Sequence, residues 1–363
     1  MSGFDLKQIS KIQGPILITG HTGFKGAWMS LLLKKLGVPV IGYSLTPERD
    51  SLYDRAQLAG VIPEIFADIR DIDLFRKFLS EHKPSCIFHM AAQPLVLKSY
   101  DSPRDTFETN VMGTVNVLNA AFETDFVKAI VVITTDKVYK NDNSSSLFIE
   151  SDALAGKDPY SASKVGAESA VAAWQQIQKI SGGPNVISVR AGNVIGGGDW
   201  AANRLLPDMV RAFLAGNNLV PRNPRSTRPW QHVLDPLQGY ILALEAMLAG
   251  QQISALNFGP TGNSLSVEEV LRIGSNEWDG RKLDIFDSQS IFTTSNVEAS
   301  TLALDSSLSK ELLGWSPRWS QEDAIKSTIS WWKSFFADSK FSFEEMNGDF
   351  ERISLSGIHQ HDE

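Results

Sequence analysis

The stretch Pro15-Ile-Leu-Ile-Thr-Gly20-His-Thr-Gly23-Phe-Lys-Gly26 decides how the rest of the chain is read. A short apolar run gives way to three glycines spaced G-x-x-G-x-x-G. An apolar-periodic segment follows, with Ala27, Trp28, Leu31, Leu32 and Leu36 at helical spacing. The pattern is strand, tight turn, helix. Glycines let the backbone turn sharply and come close to a pyrophosphate, and a helix N-terminus presents unpaired N–H donors at the positive end of its dipole. A glycine-rich turn without a ligand is the competing reading; the flanking strand and helix weigh against it.

Working outward, 363 residues suffice for one large domain or two, with a sizeable core. A hydrophobic content of 42% and a charged content of 21% are those of a globular protein. The net charge of −8 argues against a general nucleic-acid surface, which needs a basic face. The single cysteine, Cys86, has no internal disulfide partner and lies in an apolar run, as a buried thiol would. The N-terminus has no apolar leader pattern, and no stretch reaches 18 apolar residues. No membrane association and a cytoplasmic location are therefore expected.

Strand and helix patterns alternate through the first half, which predicts an α/β fold built on a doubly wound parallel sheet. The expected strands after the first are Val38 to Tyr43, Val61 to Ala67, Ser85 to Met90, Ala129 to Thr134 and Val186 to Arg190. Between them, Asp71 is placed to cap a helix reaching Leu79. A second helix carries Phe107, Val111, Thr114, Val115 and Leu118, and a third runs from Pro159 to about Ile180. After Arg190 the pattern loosens: Gly192 to Trp200 holds four glycines, and a Pro-, Arg- and Asn-rich segment continues to Trp230. A helix from about Asp235 to Leu248 and a strand from Ala255 to Phe258 are expected to rejoin the sheet. Helices near Ser266 to Trp278, Ser307 to Leu313 and Gln321 to Phe336 complete a smaller C-terminal lobe. The resulting division is 1–190 with 232–258 as one domain, 191–231 with 259–345 as the substrate-binding lobe, and 346–363 as a loosely ordered polar tail. Asn143 to Ser146 approaches low complexity.

Ligands of such sheets bind at the carboxyl ends of the strands. The fifth strand ends in Thr134-Thr-Asp-Lys137-Val-Tyr139, and the next helix begins Tyr160-Ser-Ala-Ser-Lys164. Tyr160 and Lys164, at i and i+4, project from one helix face. An ammonium beside a phenol favours phenolate and makes tyrosine a usable base near neutral pH. Y-x-x-x-K alone occurs by chance in many helices. It gains weight after the glycine turn and beside a strand-end T-D-K. None of the six histidines falls in metal-ligand spacing apart from the tail pair His359 and His361, which reads as a solvated end; no metal is expected. His232 reads as a structural histidine.

These stretches, with His89-Met-Ala-Ala-Gln-Pro94-Leu-Val, Thr109-Asn-Val-Met-Gly-Thr114, Arg190-Ala-Gly-Asn-Val-Ile-Gly-Gly-Gly-Asp-Trp200 and Arg228-Pro-Trp-Gln-His-Val233, resemble the extended short-chain dehydrogenase/reductase family. Within it the chain is most similar to the nucleotide-sugar 4,6-dehydratases that act on CDP-glucose, and Leu313-Gly-Trp-Ser-Pro-Arg318-Trp extends the likeness into the C-terminal lobe. The resemblance implies a Rossmann fold and NAD held by Gly20, His21, Thr22, Gly23, Phe24, Lys25, Gly26, Ser44, Asp68, Ile69, Ala91, Ala92, Gln93, Tyr160 and Lys164. It implies a nucleotide-sugar substrate and a homo-oligomer. Asn193, Arg204 and Arg228 match positions that hold the nucleotide diphosphate, for which a forked guanidinium suits both charge and geometry. Tyr160 would take the C4 hydroxyl proton during transient oxidation, Thr135 would hydrogen-bond the C4 oxygen, and Asp136 would protonate the departing C6 hydroxyl. Lys137 would take the C5 proton, or serve only as the charge partner of Asp136.

Two departures bear on specificity. NAD-binding folds of this kind commonly place an acid at the end of the second strand. Here that place reads Gly42-Tyr43-Ser44, with Glu48, Arg49 and Asp50 following. The residues alone leave NAD and NADP both open; the resemblance implies NAD. Tyr139-Lys-Asn-Asp-Asn-Ser-Ser-Ser-Leu-Phe148 stands where the family usually has a tryptophan-bearing loop near the sugar. Two other functions compete: a nucleotide-sugar epimerase, which needs no acid/base pair for losing water, and a regulatory cofactor-binding protein, which would not require both Tyr160 and Lys164.

Overall fold

The computed structural model describes residues 6–142, 147–217, 219, 221, 224–279, 302–337 and 348–353. Asn143 to Ser146 and the histidines at 359 and 361 lie outside them. In chain order the strands are β1 (Ile16–Thr19), β2 (Val40–Ser44), β3 (Glu64–Phe66), β4 (Cys86–His89), β5 (Ala129–Ile133), β6 (Asn185–Ala191), β7 (Asn193–Ile195), β8 (Thr227–Arg228), β9 (Trp230–His232), β10 (Ala255–Phe258) and β11 (Leu265–Ser266). Seven of them form one sheet in the order β3-β2-β1-β4-β5-β6-β10. All six pairings are parallel. The order reverses at β1, which pairs with β2 on one side and β4 on the other, so a crevice opens where Thr19 stands level with His89 and Tyr43.

Helices cover both faces, and alternate residues of single strands serve opposite layers. Ile16, Ile18, Phe88 and Val131 pack with Trp28 and Leu237 on one side. Leu17, Ile87, Ile130 and Val132 pack with Phe75, Val117 and Val171 on the other. Burial on both faces is why these strands read as continuous apolar runs.

Local chemistry sets the element ends. Asp71 caps the helix Ile72–His82 by accepting from the Leu74 amide, and that helix ends three residues beyond the expected Leu79. Asp158 accepts from the Ser161 amide and Pro159 occupies the first turn of Pro159–Ser181. Ser266 and Glu269 form a reciprocal capping box on Val267–Glu277. The third strand is shorter than its apolar run: Gly60 turns at φ +72°, Pro63 brings no amide, and pairing begins at Glu64. The helix expected around Phe107 is three joined pieces, Pro103–Phe107, a π-helical turn Glu108–Met112, and Gly113–Phe122. The tail was expected to be loose, but 348–353 is helical and buries Phe350 and Ile353, with Phe350 edge-on to Trp28 at 5.5 Å between ring centroids. Two apolar residues among acids give no periodic signal, yet they fill a place on the core.

Candidate active site

The glycine turn lies at the carboxyl end of β1. Gly20 has φ +77°, and a Cβ there would come within 2.7 Å of the Ala91 amide nitrogen. A Cβ on Gly26 would sit 2.1 Å from the Gly20 carbonyl oxygen, so this glycine lets the helix Phe24–Lys35 close on the turn. Gly23 differs. It is exposed, extended at φ −74° and ψ 166°, and a Cβ there would meet only the Gly20 carbonyl, at 3.3 Å. The fold therefore demands Gly20 and Gly26, whereas the open side of Gly23, over the first-turn amides of a helix, has the shape and charge for a diphosphate. Ala91 and Ala92 border the turn from the end of β4. These residues fit NAD.

Not every expected cofactor residue offers its side chain. The His21 ring is buried under β2, where a Cβ on Gly42 would lie 2.5 Å from it, and its Nε2 is 2.8 Å from Glu64 Oε2. Burial keeps its pKa low against the pull of Glu64. Thr22 and Ser44 pair hydroxyl to hydroxyl at 2.7 Å, filling the strand end where an acid was sought. Asp68 holds Arg70 through both oxygens, which keeps its carboxyl below the usual range, and Ile69 is buried against Gly113. The Gln93 amide side chain is engaged with Leu95 and Thr106. His21, Ile69 and Gln93 thus shape the crevice from behind.

The chemistry gathers at the end of β5. Thr135 caps the short turn Asp136–Val138, accepts from the Lys137 amide, and donates to Asp136 Oδ1 at 3.0 Å. Asp136 is buried, and its Oδ2 faces Gly192 with no hydrogen-bond partner among the described residues. Burial raises its pKa, opposed first by the charge of Lys137 and then by the Thr135 hydrogen bond, Arg228 and Lys25. Thr135 also pulls the Tyr160 pKa down against burial, which brings the two halves of the site together. Ser99 Oγ accepts from the Tyr160 amide at 3.1 Å, and Asn110 donates to Ser163 Oγ at 2.9 Å and to the Gln93 carbonyl, fixing the helix start against the β4 loop.

One expectation requires correction. Lys164 was expected to lower the Tyr160 pKa, but burial pushes the phenol up to about 12. The lysine ammonium donates instead to the Ile133 carbonyl at 3.0 Å, and its own pKa falls to about 8 through burial, against the pull of Glu168. Spacing of i and i+4 puts two side chains on one face without aiming one at the other.

Arg204 donates to Asp199 Oδ2 at 2.9 Å, and its charge reaches Tyr160 and Lys25. Arg228 on β8 is buried and acts on Asp136. Asn193 opens β7, level with Trp230. Lys25, assigned from sequence to the cofactor turn, projects toward Tyr240, within the reach of Arg204, Lys164 and Asp136. Its ammonium is 6.0 Å from the Tyr240 ring centroid, and burial, with Arg204 and Lys164, brings its pKa to about 7. Lys137, Arg228 and Lys25 thus act on Asp136 and Arg204 on Tyr160, a field suited to an anionic substrate. His232 is wholly buried and stacked on Trp319 at 4.4 Å between ring centroids. Among the described residues no group of three or more His, Cys, Asp or Glu could hold a metal, and no helix is long and apolar enough to cross a membrane.

Residues 16–259 match the model of the NAD dependent epimerase/dehydratase family. A CDP-glucose 4,6-dehydratase of Salmonella typhimurium is 40% identical over 329 residues, 88% of this chain and 90% of that one. The structure superposes on a dTDP-glucose 4,6-dehydratase of Streptomyces venezuelae solved with NAD, at 25% identity and a TM-score of 0.73, covering 91% and 99% of the two chains. A UDP-glucose 4-epimerase of Thermotoga maritima shares the fold at 21% identity and a TM-score of 0.77, covering 89% and 99%.

Proposed function

Since the chain belongs to the NAD dependent epimerase/dehydratase family, we propose that it is a nucleotide-sugar 4,6-dehydratase that converts CDP-glucose to the 4-keto-6-deoxy sugar. The observation that carries this reading is Asp136, a buried carboxyl with one unpartnered oxygen, hydrogen-bonded by Thr135 and acting with it on the Tyr160 hydroxyl. Epimerisation at C4 has no use for an acid there; loss of water does. The similarity to the Salmonella enzyme supports the nucleotide and the hexose.

Bound NAD supplies the acceptor for the C4 hydride and its return to C6. The protein's own work is proton traffic. Tyr160 accepts the C4 hydroxyl proton while Thr135 steadies the oxygen. Burial that raises the Asp136 pKa also lessens the negative charge that most disfavours phenolate among the charges near Tyr160, and Arg204 pulls the same way. The 4-ketone acidifies C5–H. Lys137, beside Asp136 on the same turn, takes that proton as Asp136 delivers its own to the leaving C6 hydroxyl, so water departs; when hydride returns to C6, Lys137 gives its proton back to C5, and the proton that Tyr160 took from the C4 hydroxyl restores Asp136. Asn193, Arg204 and Arg228 hold the diphosphate.

The described residues of segments 191–231 and 259–345 form the substrate lobe; 280–301 and 338–345 lie outside the described residues. Leu97, Tyr100, Phe107 and Met112, all exposed on consecutive helices, are the face for a second copy, giving a homo-oligomer. The enzyme works in the cytoplasm, where NAD and nucleotide sugars meet. The test is incubation with NAD and CDP-, dTDP-, UDP- or GDP-glucose, read by the alkali-induced absorbance of a 4-keto product. Product from CDP-glucose alone is the expected result; epimerised hexose without 4-keto product would overturn it. Sedimentation of the wild type against Tyr100→Glu tests the oligomer.

A further inference from the structure

The segment 134–139, which carries Thr135, Asp136 and Lys137, is held at both ends by one buried ion pair. Glu168 lies one helical turn beyond Lys164, and Arg190 stands on β6. The pair is bidentate, with Arg190 Nε 2.9 Å from Glu168 Oε1 and Nη2 2.9 Å from Oε2. Both side chains are buried. Such a pair needs its remaining lone pairs and protons satisfied; Ser188 Oγ donates to Glu168 Oε2 at 2.7 Å, Arg190 Nη1 donates to the Glu150 carbonyl at 3.0 Å, and the other two partners come from the two ends of the segment. At the near end Thr134 Oγ1 donates to Glu168 Oε1 at 2.6 Å. At the far end Arg190 Nη1 donates to the Tyr139 hydroxyl at 2.8 Å, and that hydroxyl donates to Asn257 Oδ1 at 2.7 Å. The Tyr139 ring is further fixed by stacking on Phe148 at 4.9 Å.

Tyr160, Lys164 and Glu168 recur every four residues along one helix. The helix that supplies the redox pair therefore also supplies the anchor for the elimination pair. We propose that Thr134 and Tyr139 are positioning residues for the elimination half of the reaction: anchored by Glu168 and Arg190, they set Asp136 and Lys137 against C5 and C6. The inference rests on the dehydratase reading. Neither residue touches the phenol of Tyr160 or the Lys164 ammonium, so C4 oxidation depends on them only through Thr135, whereas elimination depends on them through both Asp136 and Lys137.

Tyr139→Phe and Thr134→Val each delete one hydroxyl, keep the packing volume, and leave the Glu168–Arg190 pair intact, with Arg190 Nη1 still donating to the Glu150 carbonyl. Each variant, with NAD and CDP-glucose in D₂O, is followed by rapid quench for reduced nicotinamide, deuterium at C5 and loss of the 6-hydroxyl. The expected result is reduced nicotinamide forming at close to the wild-type rate, while C5 exchange and water loss slow about tenfold, the loss of one positioning contact worth ~1.4 kcal/mol. KM stays unchanged. Equal slowing of both halves, or no slowing in variants that melt like wild type, would overturn the proposal. If one variant fails to fold, the other end of the segment decides. A wild-type enzyme that makes no 4-keto product instead defeats the dehydratase reading and is told apart by that control.

Discussion

Replacing Gly23 by valine separates what the ligand requires from what the fold requires. The residue is exposed and extended, a conformation valine adopts freely, and a new Cβ meets only the Gly20 carbonyl, at 3.3 Å. Folding should survive with a melting temperature near that of the wild type. The added branches project over the first-turn amides of the helix Phe24–Lys35, where a pyrophosphate would receive its hydrogen bonds. Bonds to charged groups contribute about 1.5–3 kcal/mol each, so losing one or two costs roughly 2–5 kcal/mol, or about 30- to 4,000-fold in Kd. The control is Gly26→Ala, whose Cβ would lie 2.1 Å from a backbone oxygen that cannot yield. It should melt several degrees lower, at about 2–4 °C per kcal/mol of strain. Calorimetric titration with NAD, beside thermal melts of both variants, is the measurement. Valine at 23 binding NAD as tightly as glycine would refute the placement, and a valine variant that melts as low as Gly26→Ala would refute the division of roles among the glycines.

Three further outcomes follow from the same geometry. Tyr160→Phe should lower turnover by about 10²–10⁴-fold while NAD titrates as in the wild type, because only the proton acceptor is lost; undiminished 4-keto product would remove Tyr160 from its role. Lys137→Met should still oxidise C4 but fail to exchange C5–H, leaving reduced nicotinamide beside a hexose that keeps its 6-hydroxyl, whereas solvent deuterium entering C5 at the wild-type rate would leave Lys137 as a charge partner only. Asp235, buried with its pKa pushed up to about 7, is protonated in the fold where an unfolded aspartate, at about 3.9, is not. The stability it contributes is complete below about pH 4 and lost as pH rises through 7. Asp235→Asn should therefore melt higher relative to wild type at pH 8 than at pH 4.5, and parallel pH profiles for the two proteins would refute the shift.

What the sequence made legible follows one physical division. The succession of strands and helices, the glycine turn and the helix carrying Tyr160 rest on local periodicity and on residues that few other backbone geometries accept, so they could be read in a window of about twenty residues. Where a side chain goes is decided by residues far away in the chain. Lys25 sits inside the cofactor motif yet faces Tyr240 and the field of Arg204, and His21, two residues past the strand, turns under Gly42 to Glu64. Glu168 shows the limit most clearly. Its spacing from Lys164 and Tyr160 was visible, but a glutamate on a helix is ordinarily a solvated one. Only the meeting with Arg190 on β6, with Thr134 before the catalytic turn and, through Arg190, with Tyr139 after it, makes the carboxylate an anchor. Three long-range partners define that role, and none lies within helical reach of Glu168. Hydroxyl deletions at 134 and 139 probe the anchor more cleanly than a change at 168, which would leave the buried Arg190 charge unpaired and confound positioning with folding.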